Sequence, residues 1–275
     1  QIGFPENRTR EGSDRVTFAE IIAKGNSMSP VSDEEFERAL NKRDRVEPRE
    51  GVECDKCQNH EFYWVVRDRE KYYHACECKA KRDNLRRLRR SGLLDAVREK
   101  TFGAYQTPCE WQRRAKETVL RFVRDKDRRW MLLSGQPGSG KSHLCTAAAA
   151  KFIAAGAETR YMRWVDESTA LKALVTDDAE YSRRITPLKT CKVLYIDDFW
   201  KTQKGKEPTA ADVKLAFDLL DYRYCNRGLI TMISTERTID EMLDIDSAVG
   251  SRIYEMTDGY RLEFAGEDKN WRLRQ

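Results

Sequence analysis

The eight residues Gly135-Gln136-Pro137-Gly138-Ser139-Gly140-Lys141-Ser142 restrict what this chain can fold into more than any other stretch. They fit G-x-x-x-x-G-K-[ST], a loop that wraps a chain of phosphates. Glycines at 135, 138 and 140 permit backbone angles and close approaches that a Cβ would block. Successive N–H groups can then point inward at the start of a helix, whose dipole favours negative charge. Lys141 has the reach for the β- and γ-phosphates, and the Ser142 hydroxyl suits Mg²⁺. The flanks agree: residues 130–134 read as a short buried strand and 144–155 as an Ala-rich helix. The expected ligand is ATP or GTP.

A second half of such a site is legible downstream. The apolar run 192–197 ends in the pair Asp197-Asp198, the Walker B pattern. Carboxylates at the carboxyl end of a buried strand sit in the crevice where open α/β sheets bind ligands. Asp197 is expected to hold Mg²⁺, and Asp198 to polarise an attacking water. Another apolar run, 229–234, ends in Ser234-Thr235. Thr235 either faces the γ-phosphate or its water, or opens a turn before a helix capped by Thr238. Arg252, after a short acidic helix, suits a surface ion pair or a finger inserted into a neighbouring copy's site.

From residue 111 onward helices alternate with short apolar strands, near 130–134, 159–164, 192–197, 229–234 and 260–265. That is the signature of a parallel α/β sheet. The expected division is a polar, partly helical segment over 1–50, a metal-binding module with a basic helix over 51–100, and the ATPase domain over 101–275. Ser32 and Glu35 form a capping box for a helix reaching about Arg45. Lys79 to Arg90 is a basic helix that either contacts phosphates or is a solvated face. No apolar run reaches the ~20 residues of a bilayer span, and no signal-peptide pattern opens the sequence. With four of the eight cysteines scattered among expected core elements, a reducing, cytoplasmic setting is expected. The net charge of +5 permits nucleic-acid contact without demanding it.

The other four cysteines are clustered. Cys54-x₂-Cys57, eighteen residues, then Cys76-x-Cys78 supply four thiolates from two knuckles. Tetrahedral Zn²⁺ needs that set, at about 2.3 Å per Zn–S bond. The aromatic segments between would form a hairpin presenting both knuckles to one ion. The tight C-x-C half leaves His60 and His74 as substitutes. Metal binding would supply folding energy to a module with so little core.

GQPGSGKSH, VLYIDDFW, TMISTERTIDEML, GSRIYEM and RLEFAGEDKNWRLR, in that order, resemble AAA+ ATPases of the DnaC/DnaI helicase-loader group, to which the transposition helper IstB is related. CDKCQNHEFYWV and YYHACECKAKRDNLRRLRRSGL resemble the zinc module and linker of DnaI-like and prophage loaders. The resemblance covers roughly residues 50–275. It implies an AAA+ P-loop NTPase core carrying a small N-terminal zinc-binding module, and loading of a DnaB-type hexameric helicase onto single-stranded DNA. It also implies Arg252 as a trans-acting finger, hence ATP-dependent homo-oligomers, and a zinc module docked on the helicase. Two departures stand out: Ser234-Thr235-Glu236 replaces the usual sensor Asn, and only twenty-three residues follow Arg252, short of a full helical lid. Weak intrinsic hydrolysis is therefore expected. Trp200, Lys201, Lys204 and Lys206, and separately Arg163-Trp164, have a composition suited to stacking bases and tracking a backbone, although such aromatics are also common core residues. The rival readings are an IstB-like transposition helper, a nucleotide-switched zinc adaptor with little turnover, and a small-molecule P-loop kinase.

Overall fold

The computed structural model describes residues 31–127, 129–203, 206–266 and 269–271. The chain separates into two compact units, one formed by residues up to 49 together with 53–79, the other by 50–52 together with 80 onward.

The smaller unit opens with helix α1 (Asp33–Asn41). The Ser32 hydroxyl accepts from Glu35 N–H while the Glu35 carboxylate accepts from Ser32 N–H, so the capping box forms as read. The helix stops at Asn41 rather than near Arg45 because the Asn41 amide has a partner elsewhere. Its Nδ2 donates to Trp64 O at 2.7 Å and its Oδ1 accepts from Trp64 N–H at 2.8 Å, as a neighbouring strand would. Strands β1 (Phe62–Arg67) and β2 (Glu70–Ala75) pair antiparallel, in the register Phe62↔Ala75 to Arg67↔Glu70. The basic stretch forms helix α2 (Glu77–Ser91), of which residues 80–91 belong to the larger unit.

The larger unit is built on a five-stranded, wholly parallel sheet: β3 (Trp130–Gly135), β4 (Thr159–Arg163), β5 (Val193–Asp197), β6 (Ile230–Ser234) and β7 (Arg261–Phe264). Their order across the sheet is β4-β5-β6-β3-β7. Both faces of β3, β5 and β6 are apolar, as a covered parallel sheet requires. Leu132, Leu194, Ile196 and Ile233 point to one face, and Met131, Leu133, Val193, Tyr195 and Met232 to the other. The first face is covered by α5 (Trp164–Ala173), α6 (Asp178–Thr190), α7 (Ala210–Cys225), α8 (Ile239–Ile245) and α9 (Ser247–Met256). The second is covered by α3 (Glu110–Arg124) and α4 (Lys141–Ala154), through Val119, Phe122, Leu144, Ala148 and Ile153. This is the AAA+ P-loop architecture.

Two features under the sheet were not readable from pattern. Arg223 is fully buried and donates to the carbonyls of Leu188, Lys189, Cys191 and Ile230 and to the Thr231 hydroxyl. It thereby satisfies the end of α6 and the entries to β5 and β6, where buried C=O groups would otherwise lack donors. The cation run of α2 is also largely committed within the larger unit. Arg82, fully buried, donates to Val52 O, Arg87 donates to Ile153 O, and Arg86 and Arg89 pair with Glu50. No helix among the described residues is long and apolar enough to cross a membrane.

Candidate nucleotide site and cysteine cluster

Register places the chemistry. Leu133 of β3 lies opposite Ser234 of β6, and Arg163 of β4 opposite Asp197 of β5. The carboxyl ends of these strands therefore meet along one rim, which opens into a cleft of about 670 Å³. Residues 137–143, Tyr161, Asp197, Asp198, Lys201 and Glu236 line it.

The phosphate-type loop leaves β3 at Gly135, where φ is 99° and a Cβ would lie 2.5 Å from Phe264 O. At Gly140, with φ 88°, a Cβ would lie 2.7 Å from the Tyr105 ring. Only glycine fits either place. Gly140 also caps α4 without any side-chain hydrogen bond, so the first N–H groups of that helix face the cleft with no side-chain acceptor of their own. Inside the loop the Lys141 ammonium donates to Gly135 O at 2.7 Å and Gln136 O at 2.6 Å. Burial pulls its pKa down to about 8, against the pull of Glu236 and Asp198. Gln136 Oε1 is buried and has no hydrogen-bond partner among the described residues.

Asp197 is the hub of the rim. Its Oδ1 accepts from Ser142 Oγ at 2.8 Å and, in a shorter bond, from Ser234 Oγ. Its Oδ2 accepts from Tyr161 OH at 3.2 Å. Burial first, then the charge of Asp197, push the Tyr161 phenol far above its ordinary pKa, so it remains a donor. Asp198, next in sequence, takes a left-handed backbone with φ 54° and turns to Lys201, whose ammonium lies 3.2 Å from Asp198 Oδ1 and 2.9 Å from Glu236 Oε1.

Thr235 is turned elsewhere. Its hydroxyl donates to Phe199 O at 2.7 Å and accepts from Arg237 N–H. The hydroxyl at the rim belongs to Ser234, and sequence gave no ground for choosing between these neighbours. Arg252 lies on α9 outside the cleft. Its guanidinium pairs with Asp221 at 2.8 Å, donates to Ala248 O, and stands over the Phe217 and Tyr224 rings at 5.0 and 5.3 Å. Trp200 and Trp164, with the composition of base-stacking platforms, are both buried. Left-handed φ at Asp198 and Trp200 turns the Trp200 indole inward, where it stacks on Phe199 at 4.7 Å. Lys204, part of the same reading, lies outside the described residues.

In the smaller unit the hairpin brings both knuckles together. The sulfurs of Cys54, Cys57, Cys76 and Cys78 all lie within 4.8 Å of one another. Neither histidine joins them: His60 Nε2 is hydrogen-bonded with Asp44 O and His74 lies against Tyr63. Asn59, which sequence reasoning missed, shapes the first knuckle. At φ 70° its side chain accepts from Cys54 N–H and donates to Val46 O. Burial, foremost, and the neighbouring thiols push Cys78 well above its ordinary pKa, while at Cys54 burial is outweighed by hydrogen bonds from its neighbours, which bring it down to about 7. Four converging sulfurs are the donor set of a tetrahedral, thiophilic metal.

With this geometry in place, comparison identifies the family. Residues 73–247 match the family described as IstB-like ATP binding protein. The chain belongs to that family. It is 34% identical over 225 residues to the phage-like element PBSX protein XkdC of Bacillus subtilis, covering 78% of this chain and 83% of that one. Among solved structures, the DnaC helicase loader superposes with a TM-score of 0.52 at 23% identity, over 62% of this chain and 99% of that one. The replication initiator DnaA bound to AMPPCP and single-stranded DNA gives 0.50 at 18% identity, over 62% of this chain and 51% of that one. The family's description indicates ATP binding, which the glycine cradle, the buried lysine and the hydroxyl–carboxylate rim fit chemically.

Nucleotide binding should therefore depend on pH in a defined direction. An anion held by Lys141 stabilises the protonated amine and raises its pKa from the value of about 8 in the free protein. Affinity for Mg–AMP-PCP is then full below that pH and falls as pH rises through it, approaching tenfold per unit until the bound-state pKa is reached. Titration calorimetry between pH 7 and roughly 9.5 checks this; an affinity that rises across the window refutes it.

Proposed function

We propose that this protein is an ATP-driven loader that places a hexameric replicative helicase on single-stranded DNA. The observation that carries this reading is the presence, in one chain, of an IstB-type nucleotide cleft and a separate four-cysteine unit. The cleft supplies nucleotide-dependent assembly, and the cysteine unit supplies a docking element with its own fold. The fold likeness to a helicase loader along nearly the whole of that chain, and to DnaA, supports the same assignment.

In this reading Gly135 to Ser142 cradle the phosphates, and the Lys141 ammonium exchanges the carbonyls of Gly135 and Gln136 for phosphate oxygens. Ser142 and Asp197 are the residues that would hold Mg²⁺, which neutralises charge on the β- and γ-phosphates when bound. Asp198 accepts a proton from the attacking water, whose oxygen bonds to the γ-phosphorus as the bond to ADP breaks. Ser234, rather than Thr235, reaches the rim, so it inherits the role sketched for Thr235. Arg252 stands off its own cleft, as a residue completing a second copy's site would. Ordering by Asp221 and two aromatic rings limits the entropy lost when it docks. Cys54, Cys57, Cys76 and Cys78 would hold Zn²⁺, and the protein would work in the cytoplasm.

Affinity capture from host lysate, with and without ATP, tests the reading. A hexameric replicative helicase should co-purify in a nucleotide-dependent way, and purified components should then load that helicase on circular single-stranded DNA. The IstB-like family keeps one rival in view, a transposition helper. Recovery of a transposase with no helicase would transfer the assignment to it.

A further inference from the structure

The loop after β5 is fastened to the loop after β6 more firmly than a simple connection requires. Phe199 N–H donates to Ser234 O, and Thr235 Oγ1 donates to Phe199 O. The Arg237 guanidinium donates to Trp200 O, Thr202 Oγ1 and Lys206 O. The buried Trp200 and Phe199 rings anchor the first of these loops in the core. This framework carries a cation with a long, flexible stem, Lys201, into the lining of the cleft. Lys201 has a partly exposed side chain and bridges Asp198 and Glu236 at 3.2 and 2.9 Å. All three line the same cleft as Lys141.

Lys100, Lys141, Arg163 and Lys201 line the cleft with Asp197, Asp198 and Glu236, and two of those three carboxylates share the one Lys201 ammonium. Lys201 follows the acidic pair at the end of β5, whereas Lys141 starts α4, so the two ammonium groups reach the cleft from different elements. Lys201 is the only described lysine or arginine lining the cleft that bonds to Asp198.

We propose that Lys201 is a γ-phosphate-binding residue that distinguishes ATP from ADP, with Glu236 as the carboxylate that competes for it. Before nucleotide binds, Asp198 and Glu236 share the Lys201 ammonium. When a γ-phosphate enters, its oxygens take over one of those bonds by charge-assisted hydrogen bonding, and Asp198 is released to meet water. Because the two loops are stapled together, the presence of the third phosphate is felt at the ends of both β5 and β6. The proposal rests on the nucleotide site described above and gives its triphosphate end a specific reader.

The test is calorimetric titration of the full-length protein and variants with Mg–AMP-PCP and, separately, Mg–ADP. Lys201→Met should weaken Mg–AMP-PCP by about tenfold and leave Mg–ADP within about twofold, as loss of one charge-assisted bond to the third phosphate predicts. Lys201→Arg should retain most of the affinity, and Glu236→Gln, which removes the competitor, should tighten Mg–AMP-PCP. Equal weakening of both nucleotides by Lys201→Met, or no weakening of either, overturns the proposal. So does a Glu236→Gln variant that loses affinity in parallel with Lys201→Met, because the pair would then be only a brace. Lys141→Ala in the same series separates the failures: if it too binds both nucleotides normally, the site itself has been misread.

Discussion

Replacing Lys141 with alanine should reduce affinity for Mg–AMP-PCP by at least about a hundredfold, the expected loss of one buried charge-assisted contact to phosphate together with its charge. The ammonium is almost wholly enclosed, and its two short bonds go to carbonyls of the loop that it would release for phosphate. Alanine suits the first turn of a helix, so α4 should persist. The measurement pairs calorimetry with melting. At a nucleotide concentration of about 100 Kd the unmodified protein gains about 2.7 kcal/mol, which in a domain of this size is roughly 5–10 °C in Tm. The variant should gain no more than about 0.4 kcal/mol at the same concentration, a shift of about 1–2 °C at most. A variant that melts normally and binds normally would remove the basis for assigning nucleotide chemistry to this cleft.

Much of this site was readable because the sequence signals are local. A G-x-x-x-x-G-K-S run needs no partner to be recognised, and β3, β5 and β6 are buried on both faces, so each reads as an uninterrupted apolar run. The acidic pair ends such a run, and its first member does stand at the rim. What stayed hidden depends on contacts between distant segments. Tyr161 faces Asp197 only because β4 lies beside β5, and Ser234 reaches it only because β6 lies between β5 and β3. Adjacent residues on a strand point to opposite sides, so Ser234-Thr235 could not be resolved without knowing where the strand ends. Trp200 beside lysines has the composition of a nucleic-acid platform, yet two left-handed residues turn its indole into the core. Arg223 and Asn59 belong to no motif and no periodic pattern that marks them out. Each instead satisfies backbone groups from segments far away in sequence.

Removing metal from the cysteine unit should unfold it. Among described residues 31–79 the buried side chains are Cys57, Asn59, Val66, Cys76 and Cys78. Val66 is thus the one buried residue there that is neither a thiol nor polar, and all of β2 is exposed. A two-stranded hairpin beside a nine-residue helix cannot balance its conformational entropy with so little apolar burial. In the proposed reading a metal on the four sulfurs supplies the missing stabilisation, and structural Zn²⁺ in small modules contributes about 10–16 kcal/mol at neutral pH. The purified protein should therefore contain one zinc per chain by elemental analysis. Chelation, or Cys57→Ser, should abolish the near-ultraviolet signal of the packed aromatics, chiefly Phe62 against Tyr73 at 5.1 Å and Trp64 edge-on to both. The ATPase unit has its own core on both faces of its sheet, so Mg–AMP-PCP affinity should survive and show that the chain has not simply unfolded. Retention of the hairpin signal in metal-free protein would mean that the four sulfurs cluster for some other reason, and the docking role assigned to this unit would lose its structural basis.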